Sequence, residues 1–482
     1  MDLGRDKTVS EIISRLETAK SGGGAVKVEG TWGSFAPLLA CYASEKIGRP
    51  ILYISPHIDD ADKTVDDLHT FGGKSVDSAG SPQVELLPAW EGEEDIADAT
   101  DEIRAERLRL VICRSSLVAR SEEKGSQFIV AASIQALCQQ IPKPEVIEQS
   151  CLQLQTERKL SPEEVAAWLV DNGFERVERV DLPGQFARRG GIVDIYAPLA
   201  IGKSVSDEQG GAPSEAADPV RNKVPDVSVP LSARTSNGAR AVRVEFFGDS
   251  IESIRTINLD TQRSTAEIES IGIVSAVRGT AAGQTELFVN ILPPETIIIF
   301  EEPAAIEEVA NVYLSRAEDS GRLFNWSDIY KAAGNFVQLH ICRFAAGEPG
   351  DFLKVDVKSV QQFQHKATSL WAGSKKALEE LVEEAKKGKQ VLLYCESQAE
   401  LSRVGEIIKQ INGEIPANFE LLSGFINQGF VIDSLNTIVI SHHELLGSLR
   451  CGGESGRCGR RRRWIRFPIC RRATTLFTLH TG

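Results

Sequence analysis

The chain has 482 residues, a formal net charge of −14, 42% hydrophobic residues and 25% charged residues. That length exceeds one hydrophobic core and predicts three or four units of roughly 100–150 residues. No apolar run reaches the ~18 residues of a membrane span, the polar opening Met1 to Ser10 is no secretory signal, and the acidic balance argues against a chain that wraps nucleic acid along its whole length.

Val9, Ile12, Ile13 and Leu16 have helical spacing, so residues 8–20 predict a helix. A short strand is expected from Ala25 to Val28, a turn from Gly30 to Ser34, and a helix from Phe35 to Ile47. A buried strand from Ile51 to Ile54 and a helix from Asp59 to Leu68 follow. Further strands are expected at Val84 to Leu87, Leu110 to Cys113 and Phe128 to Ala131. Strands alternating with helices predict a parallel-type sheet with helices on its faces.

Near residue 145 the texture changes. Ser161-Pro162-Glu163-Glu164 marks the start of an amphipathic helix running to Asn172. Strands are expected at Phe174 to Val180, Gln185 to Tyr196 and Val242 to Ile257, with residues 186–196 and 242–255 as arms of one antiparallel unit. Between them, residues 203–239 are rich in Ser, Pro, Gly, Ala and acid without periodicity, which predicts a disordered loop. Such a loop is cheap, because closure entropy grows only logarithmically with length.

Strand character returns at Ile271 to Val277, Thr296 to Phe300 and Phe336 to Cys342. A helix from Lys375 to Lys387, a strand from Val391 to Cys395, a helix from Gln398 to Ile411 and a strand from Thr437 to Ser441 predict a further small α/β unit. The expected division is therefore 1–145 and 264–370 for a split sheet domain, 146–263 for an α+β insertion, 371–447 for the small unit and 448–482 for a tail.

The Ala25 to Ala40 stretch has the strand–loop–helix order of a phosphate-binding loop. Such a loop needs a glycine-rich turn, a Lys for the outer phosphates and a hydroxyl for magnesium. Here Gly30 and Gly33 stand too close together, Trp32 is bulky, and Phe35 and Ala36 follow where the Lys and hydroxyl belong. The acid that would hold the metal is also missing from the expected strand at Leu110 to Cys113, which ends in Arg114. The expectation is a sheet that keeps a nucleotide-binding topology without its chemistry.

Arg176, Phe186, Arg188 and Arg189 gather near one edge of the insertion, and Arg189 precedes the pair Gly190-Gly191. Solvated strand charge is one reading. An aromatic beside several arginines on a sheet is also the composition of an interface hot spot. Cys41, Cys113, Cys138, Cys151, Cys342 and Cys395 are scattered in apolar runs, which suits free thiols in a reducing cytoplasm. In the tail, Cys451, Cys458, Cys470 and His480 lack the close Cys spacing of a structural zinc site. The run Arg460 to Arg463 could hold phosphate non-specifically.

Two motifs carry a family resemblance. Arg189-Gly190-Gly191-Ile192-Val193-Asp194-Ile195-Tyr196, taken with Arg243-Val244-Glu245-Phe246-Phe247-Gly248-Asp249, resembles the module shared by the repair helicase subunit UvrB and the bacterial transcription-repair coupling factors. Leu259-Asp260-Thr261-Gln262-Arg263-Ser264 resembles the coupling factors' own continuation, as does the end of the small unit, Ile440 to Gly447.

The resemblance covers about residues 8–447. It implies a degenerate helicase-like sheet with an inserted UvrA-binding domain and a small α/β domain behind it. The family is an ATP- and magnesium-dependent DNA translocase that removes stalled RNA polymerase and recruits UvrA. By position in the motif, Arg176 and Arg189 correspond to arginines of the UvrA contact, with Phe186 in the same strand. A third such arginine falls on Ala187, next to Arg188. The domains that hold RNA polymerase and double-stranded DNA, and the motor that binds ATP, are expected beyond residue 447 and are not in this sequence. The Arg-rich end resembles no part of the family and fits a truncated or out-of-frame terminus. The expected function is UvrA recruitment in transcription-coupled repair, with no cofactor and no catalysis in this chain. The alternative is an ATP-dependent helicase or excinuclease subunit related to UvrB.

Overall fold

The computed structural model describes residues 1–20, 22, 24–72, 82–90, 101–114, 127–202, 240–274, 284–317, 320–344, 352–363 and 370–445. The loop expected at 203–239 and the tail, with its cysteines, His480 and arginines, lie outside them. Among the described residues no helix is long and apolar enough to cross a membrane. No disulfide joins the six described cysteines, and Cys41, Cys138 and Cys395 are buried.

The first helix, α1 (Lys7–Thr18), starts at Asp6, whose carboxylate accepts from the Val9 N–H at 2.9 Å, and it buries Val9, Ile12, Ile13 and Leu16. Strand β1 (Ala25–Glu29) turns into α2 (Phe35–Ile47), and β2 (Ile51–Ser55) into α3 (Ile58–Phe71). Strands β3 (Gln83–Leu87), β4 (Phe128–Ser133) and the short β5 (Ile141–Pro142) follow.

The strand expected at Leu110 to Cys113 is instead the end of a helix, α4 (Asp101–Arg114). A short apolar run suits a buried helix as well as a strand, and here tertiary contacts decide. Leu108, Leu110, Val111 and Ile112 are buried. Arg107, only 2% exposed, donates to the carbonyls of Pro88, Ala136 and Gln139. Arg109 and Arg114 both donate to Glu85 of β3, at 2.8 and 2.6 Å. Burial alone would raise the Glu85 carboxyl, yet Arg114 and Arg109 hold it below the ordinary range.

The insertion holds β6 (Cys151–Gln155), α5 (Pro162–Asp171), β7 (Glu175–Arg176), β8 (Gln185–Arg189), β9 (Ile192–Ala197), β10 (Ala200–Gly202), β11 (Arg240–Phe247), β12 (Ser250–Asn258), β13 (Arg263–Glu267) and β14 (Ser270–Val274). Ser161 and Glu164 form the capping box that opens α5, with Pro162 in the first turn. Each of the two runs expected as a single arm is a hairpin. Gly190 and Gly248, with φ of +61° and +60°, turn the chain within 186–196 and 242–255. Only β7 forms within 174–180. The larger sheet runs β13-β12-β11-β9-β8-β7, and β10-β14-β6 form a second sheet that carries the unit's strand pairing to Val274.

The chain then returns through β15 (Thr285–Glu286), which pairs with β5, to β16 (Ile297–Glu301), α6 (Pro303–Arg316), α7 (Trp326–Ala333), β17 (Val337–Cys342) and β18 (Leu353–Lys354). These strands complete a seven-stranded sheet of order β18-β1-β17-β16-β2-β4-β3, parallel at every pairing. Its central strands are continuous apolar runs because helices cover both faces. Ile51, Leu52, Tyr53 and Ile54, like Ile297 through Phe300, have no exposed surface.

The last unit comprises β19 (Val357–Ser359), α8 (Leu370–Lys386), β20 (Gln390–Cys395), α9 (Gln398–Asn412), β21 (Phe419–Ser423), β22 (Phe430–Ile432) and β23 (Thr437–Ser441). Its sheet order is β19-β22-β23-β20-β21. This unit shares a core with the first sheet: Phe430 meets Phe35 edge-on at 5.8 Å between ring centres and Phe71 at 6.5 Å. The architecture is α/β, a helicase-like parallel sheet carrying an α+β insertion.

Candidate functional site

Strand β8 brings the expected contact residues to an edge of the insertion, but not to one face. Phe186 is fully buried and packs with Val165 and Leu169 of α5 and with Val193 and Ile195 of β9. It anchors the strand and presents no surface to a partner. Arg188 lies on the same face and donates to Glu163 of α5. That hydrogen bond keeps the exposed Glu163 carboxyl below its ordinary range. Arg176 stands opposite Phe186 in the parallel β7–β8 pair, so it shares that face; it is exposed.

Arg189 lies on the other face. Alternation along the strand puts it with Ala187, and it stands opposite Ile192 of β9. It is exposed and donates from Nη2 to the Glu178 carbonyl at 2.8 Å. Ala187 is itself buried, in a small cluster with Val180, Tyr196, Ala241 and Ile257. The position of the expected third arginine is thus interior. Arg188 cannot replace it, because Arg188 points to the α5 side.

The face that carries Arg189 is organised by ion pairs running across the strands. Arg243 of β11 grips Asp194 of β9 with two hydrogen bonds, at 2.7 and 2.9 Å, and the Asp194 side chain is 8% exposed. The hydrogen bond to Asp194 raises the Arg243 guanidinium above its ordinary range. Arg255 bridges Glu245 and Glu267 at 3.5 and 3.7 Å, and Ser253 donates to Glu245 at 2.8 Å. These contacts lock the sheet without offering a nucleophile or an acid–base pair.

A second candidate, the turn after β1, is filled by the chain itself. Backbone bonds zip it to the segment behind β18: Val355 N–H donates to the Glu29 carbonyl at 2.9 Å. A Cβ on Gly30 would lie 2.2 Å from the Val355 carbonyl oxygen. At the start of α2, the Ser34 N–H donates to the Gln428 carbonyl at 2.9 Å, and the Gln428 N–H donates back to Ser34 Oγ at 3.1 Å. A Cβ on Gly33, where φ is +57°, would lie 2.6 Å from the Gln428 oxygen. Next in line, Asp67 of α3 accepts from the Asn427 N–H at 2.7 Å and from Asn427 Nδ2 at 3.2 Å. Burial pushes the Asp67 carboxyl up to about 7, against the lowering pull of the Asn427 and Ser34 hydrogen bonds. Arg343 stacks over Trp32 at 5.1 Å.

One backbone donor at the start of α2, the Ser34 N–H, is therefore engaged by a carbonyl of the last unit where a phosphate would be cradled. Acids do stand at the end of a strand of the same sheet, one strand removed from β1, though not where the sequence pointed. Glu301 ends β16 and Glu302 follows it. Burial pushes the Glu301 carboxyl up to about 7; it faces the buried Tyr53 hydroxyl without full hydrogen-bond geometry. Glu302, at φ +56°, accepts from the Arg343 N–H at 2.7 Å. The residues at this turn do not fit a magnesium-bound triphosphate: Phe35, fully buried, follows the turn where a lysine would be needed.

Comparison with known proteins agrees with the geometry of the insertion. Residues 152–203 and 232–278 match the UvrB interaction domain family. The transcription-repair-coupling factor of Bacillus subtilis is 28% identical over 245 residues, 51% of this chain and 16% of that protein. Its namesake from Haemophilus influenzae is 26% identical over 197 residues, 41% of this chain and 13% of that protein. That of Mycobacterium bovis is 27% identical over 238 residues, 48% of this chain and 15% of that protein. The matches therefore span less than a fifth of the length of each of these relatives. The chain carries a UvrB interaction domain inserted in a helicase-like sheet, and about half of it is related in sequence to the transcription-repair-coupling factors.

Proposed function

We propose that this chain is a UvrA-recruiting module of the coupling-factor type that works without nucleotide chemistry of its own. The observation that carries the reading is the UvrB interaction domain match over 152–203 and 232–278, which contains the whole arginine-bearing edge. Arg176 is exposed on the two-residue edge strand β7 and Arg189 is exposed at the end of β8, where a partner's carboxylates can reach them. The filled turn at Gly33 supports the second half of the reading, since the Ser34 N–H already has a partner and the Gln428 and Gly429 oxygens crowd Gly33. On this reading, contacts with RNA polymerase and double-stranded DNA belong to other parts of such proteins, and the repair role places the chain in the bacterial cytoplasm.

The test is capture of purified UvrA by this chain and by the variant with Arg176→Ala and Arg189→Ala. Loss of roughly 2–5 kcal/mol of binding is expected if these guanidinium groups are desolvated against partner carboxylates. Equal capture by both chains would remove the arginine edge from the contact.

A further inference from the structure

Residues 424–429 join β21 to β22 as a strap that is neither helix nor strand, and the strap lies along α3. The Phe425 N–H donates to Thr70 Oγ1 at 3.2 Å, and Asn427 Nδ2 donates to the Lys63 carbonyl at 2.8 Å. The Asn427 bonds to Asp67 and the Gln428 bonds to Ser34 complete this row of anchors. A glycine closes each end because the contacts are tight. A Cβ on Gly424 would lie 2.7 Å from Thr70 Cγ2, and one on Gly429 would lie 2.7 Å from the Val439 carbonyl oxygen.

Asp67 is the one carboxylate of α3 in this row. It is 4% exposed, and among the described residues no ion pair reaches it. The Lys63 ammonium is turned to Asp60 instead, at 3.0 Å. Asp66, next along α3, pushes the Asp67 carboxyl in the same direction as burial does. Behind it, Cys41 of α2 and Tyr53 of β2 stay neutral: burial, with Asp67 adding to it, pushes the thiol up to about 12 and holds the Tyr53 hydroxyl well above its ordinary range. On the far side of the strap the buried Glu444 accepts from the Gly429 N–H at 2.8 Å, and His443 stacks on Phe425 at 4.9 Å.

A buried carboxyl held by neutral donors is costly when charged and cheap when protonated. Lifting the strap lets water reach Asp67, which then ionises as an ordinary carboxylate. Opening is therefore linked to loss of a proton. We propose that the 424–429 strap is a proton-operated clasp: protonated Asp67 holds it on α3, and ionisation of Asp67 lets it lift locally while both units stay folded. Such local opening is distinct from unfolding of the chain. The lifted strap would release the Ser34 N–H and uncover the turn at Gly33.

The sign is fixed by the two states. Below the ordinary carboxylate range Asp67 is protonated whether the strap is open or closed, and closure is tightest. From about pH 4 to about pH 7 only the open state ionises, so opening gains up to about tenfold per pH unit. Above that window both states are ionised and the gain stops. The clasp is thus at its loosest from neutral pH upward.

The experiment is amide hydrogen exchange of the whole chain from about pH 5 to about pH 8, read as protection relative to intrinsic exchange, for the parent, Asp67→Asn and Asn427→Ala. In the parent, protection of the Ser34, Asn427 and Gln428 N–H groups should fall at least about tenfold up to pH 7 and then level off, while β2 and β4 keep theirs. Asp67→Asn should abolish that pH dependence. Asn427→Ala should leave the strap poorly protected at every pH with β2 and β4 intact. Strap protection that ignores pH in the parent, or an equal pH dependence in Asp67→Asn, would overturn the clasp. So would a loss that runs through β2 and β4 together with the strap.

Discussion

The Gln428 carbonyl and the Ser34 N–H are joined at 2.9 Å, although they lie 394 residues apart in the chain. This one bond puts a peptide oxygen at a helix N-terminus, the place where a nucleotide-binding sheet holds phosphate. The last unit thereby completes the first one, and the former loop becomes an internal joint.

Gly33→Ala tests the joint. The added Cβ would meet the Gln428 and Gly429 oxygens at 2.6 and 2.8 Å, both backbone atoms that cannot swing away, and φ of +57° is strained for alanine. A loss of about 1–3 kcal/mol is expected in urea unfolding. An unchanged midpoint would mean that the last unit does not dock on this turn.

Asp67 makes the same joint pH-dependent. Its carboxyl is pushed from an ordinary 3.8 up to about 7, chiefly by burial. Between those values the folded chain binds this proton more readily than the unfolded chain, so this group's contribution to stability falls as pH rises from about 4 to 7. Asp67→Asn, which cannot titrate, should remove that slope from the difference between the two chains' stability curves. Parallel curves from pH 4 to 7 would contradict the burial-driven shift.

Glu85 works in the opposite sense. Arg114 and Arg109 depress its carboxyl, so its stabilising contribution is present above the ordinary carboxylate range and is lost as pH falls through the depressed value. Glu85→Ala would leave two arginines, each with less than a sixth of its side chain exposed, without their shared acid. A cost of roughly 3–5 kcal/mol at neutral pH is expected, read by chemical denaturation. A cost below about 1 kcal/mol would assign the anchoring of α4 to its apolar contacts alone.

Phe186 and Arg189 separate support from contact. Phe186→Ala empties a fully buried aromatic site and should cost about 3–5 kcal/mol of stability. Arg189→Ala removes an exposed side chain and should leave the unfolding midpoint within about 0.5 kcal/mol of the parent. Stability measured beside UvrA affinity should therefore move for Phe186→Ala and stay still for Arg189→Ala.

Much of the scaffold was legible in the sequence for simple reasons. Buried parallel strands such as Ile51 to Ile54 and Ile297 to Phe300 are uninterrupted apolar runs, and Ser161-Pro162-Glu163-Glu164 announces its helix. The run at Leu110 to Cys113 misled because a buried helix four residues deep in apolar contacts looks like a strand locally. An acid that does end a strand of this sheet is Glu301, on β16, and no local pattern sets it apart from the other acids. The arginine edge was visible as composition, but its division between two faces was not. That depends on which residue pairs with which, as when Arg176 falls opposite Phe186 and Arg189 opposite Ile192. The filled turn was invisible for a different reason: no local pattern links Gly33 to Gln428.

The most direct measurement is a calorimetric titration of purified UvrA into this chain with no nucleotide and no DNA present. The account predicts saturable binding that survives the absence of ATP and weakens when Arg189 is replaced. A flat titration at micromolar concentrations of a folded chain, or binding that appears only once ATP is supplied to the chain, would contradict it.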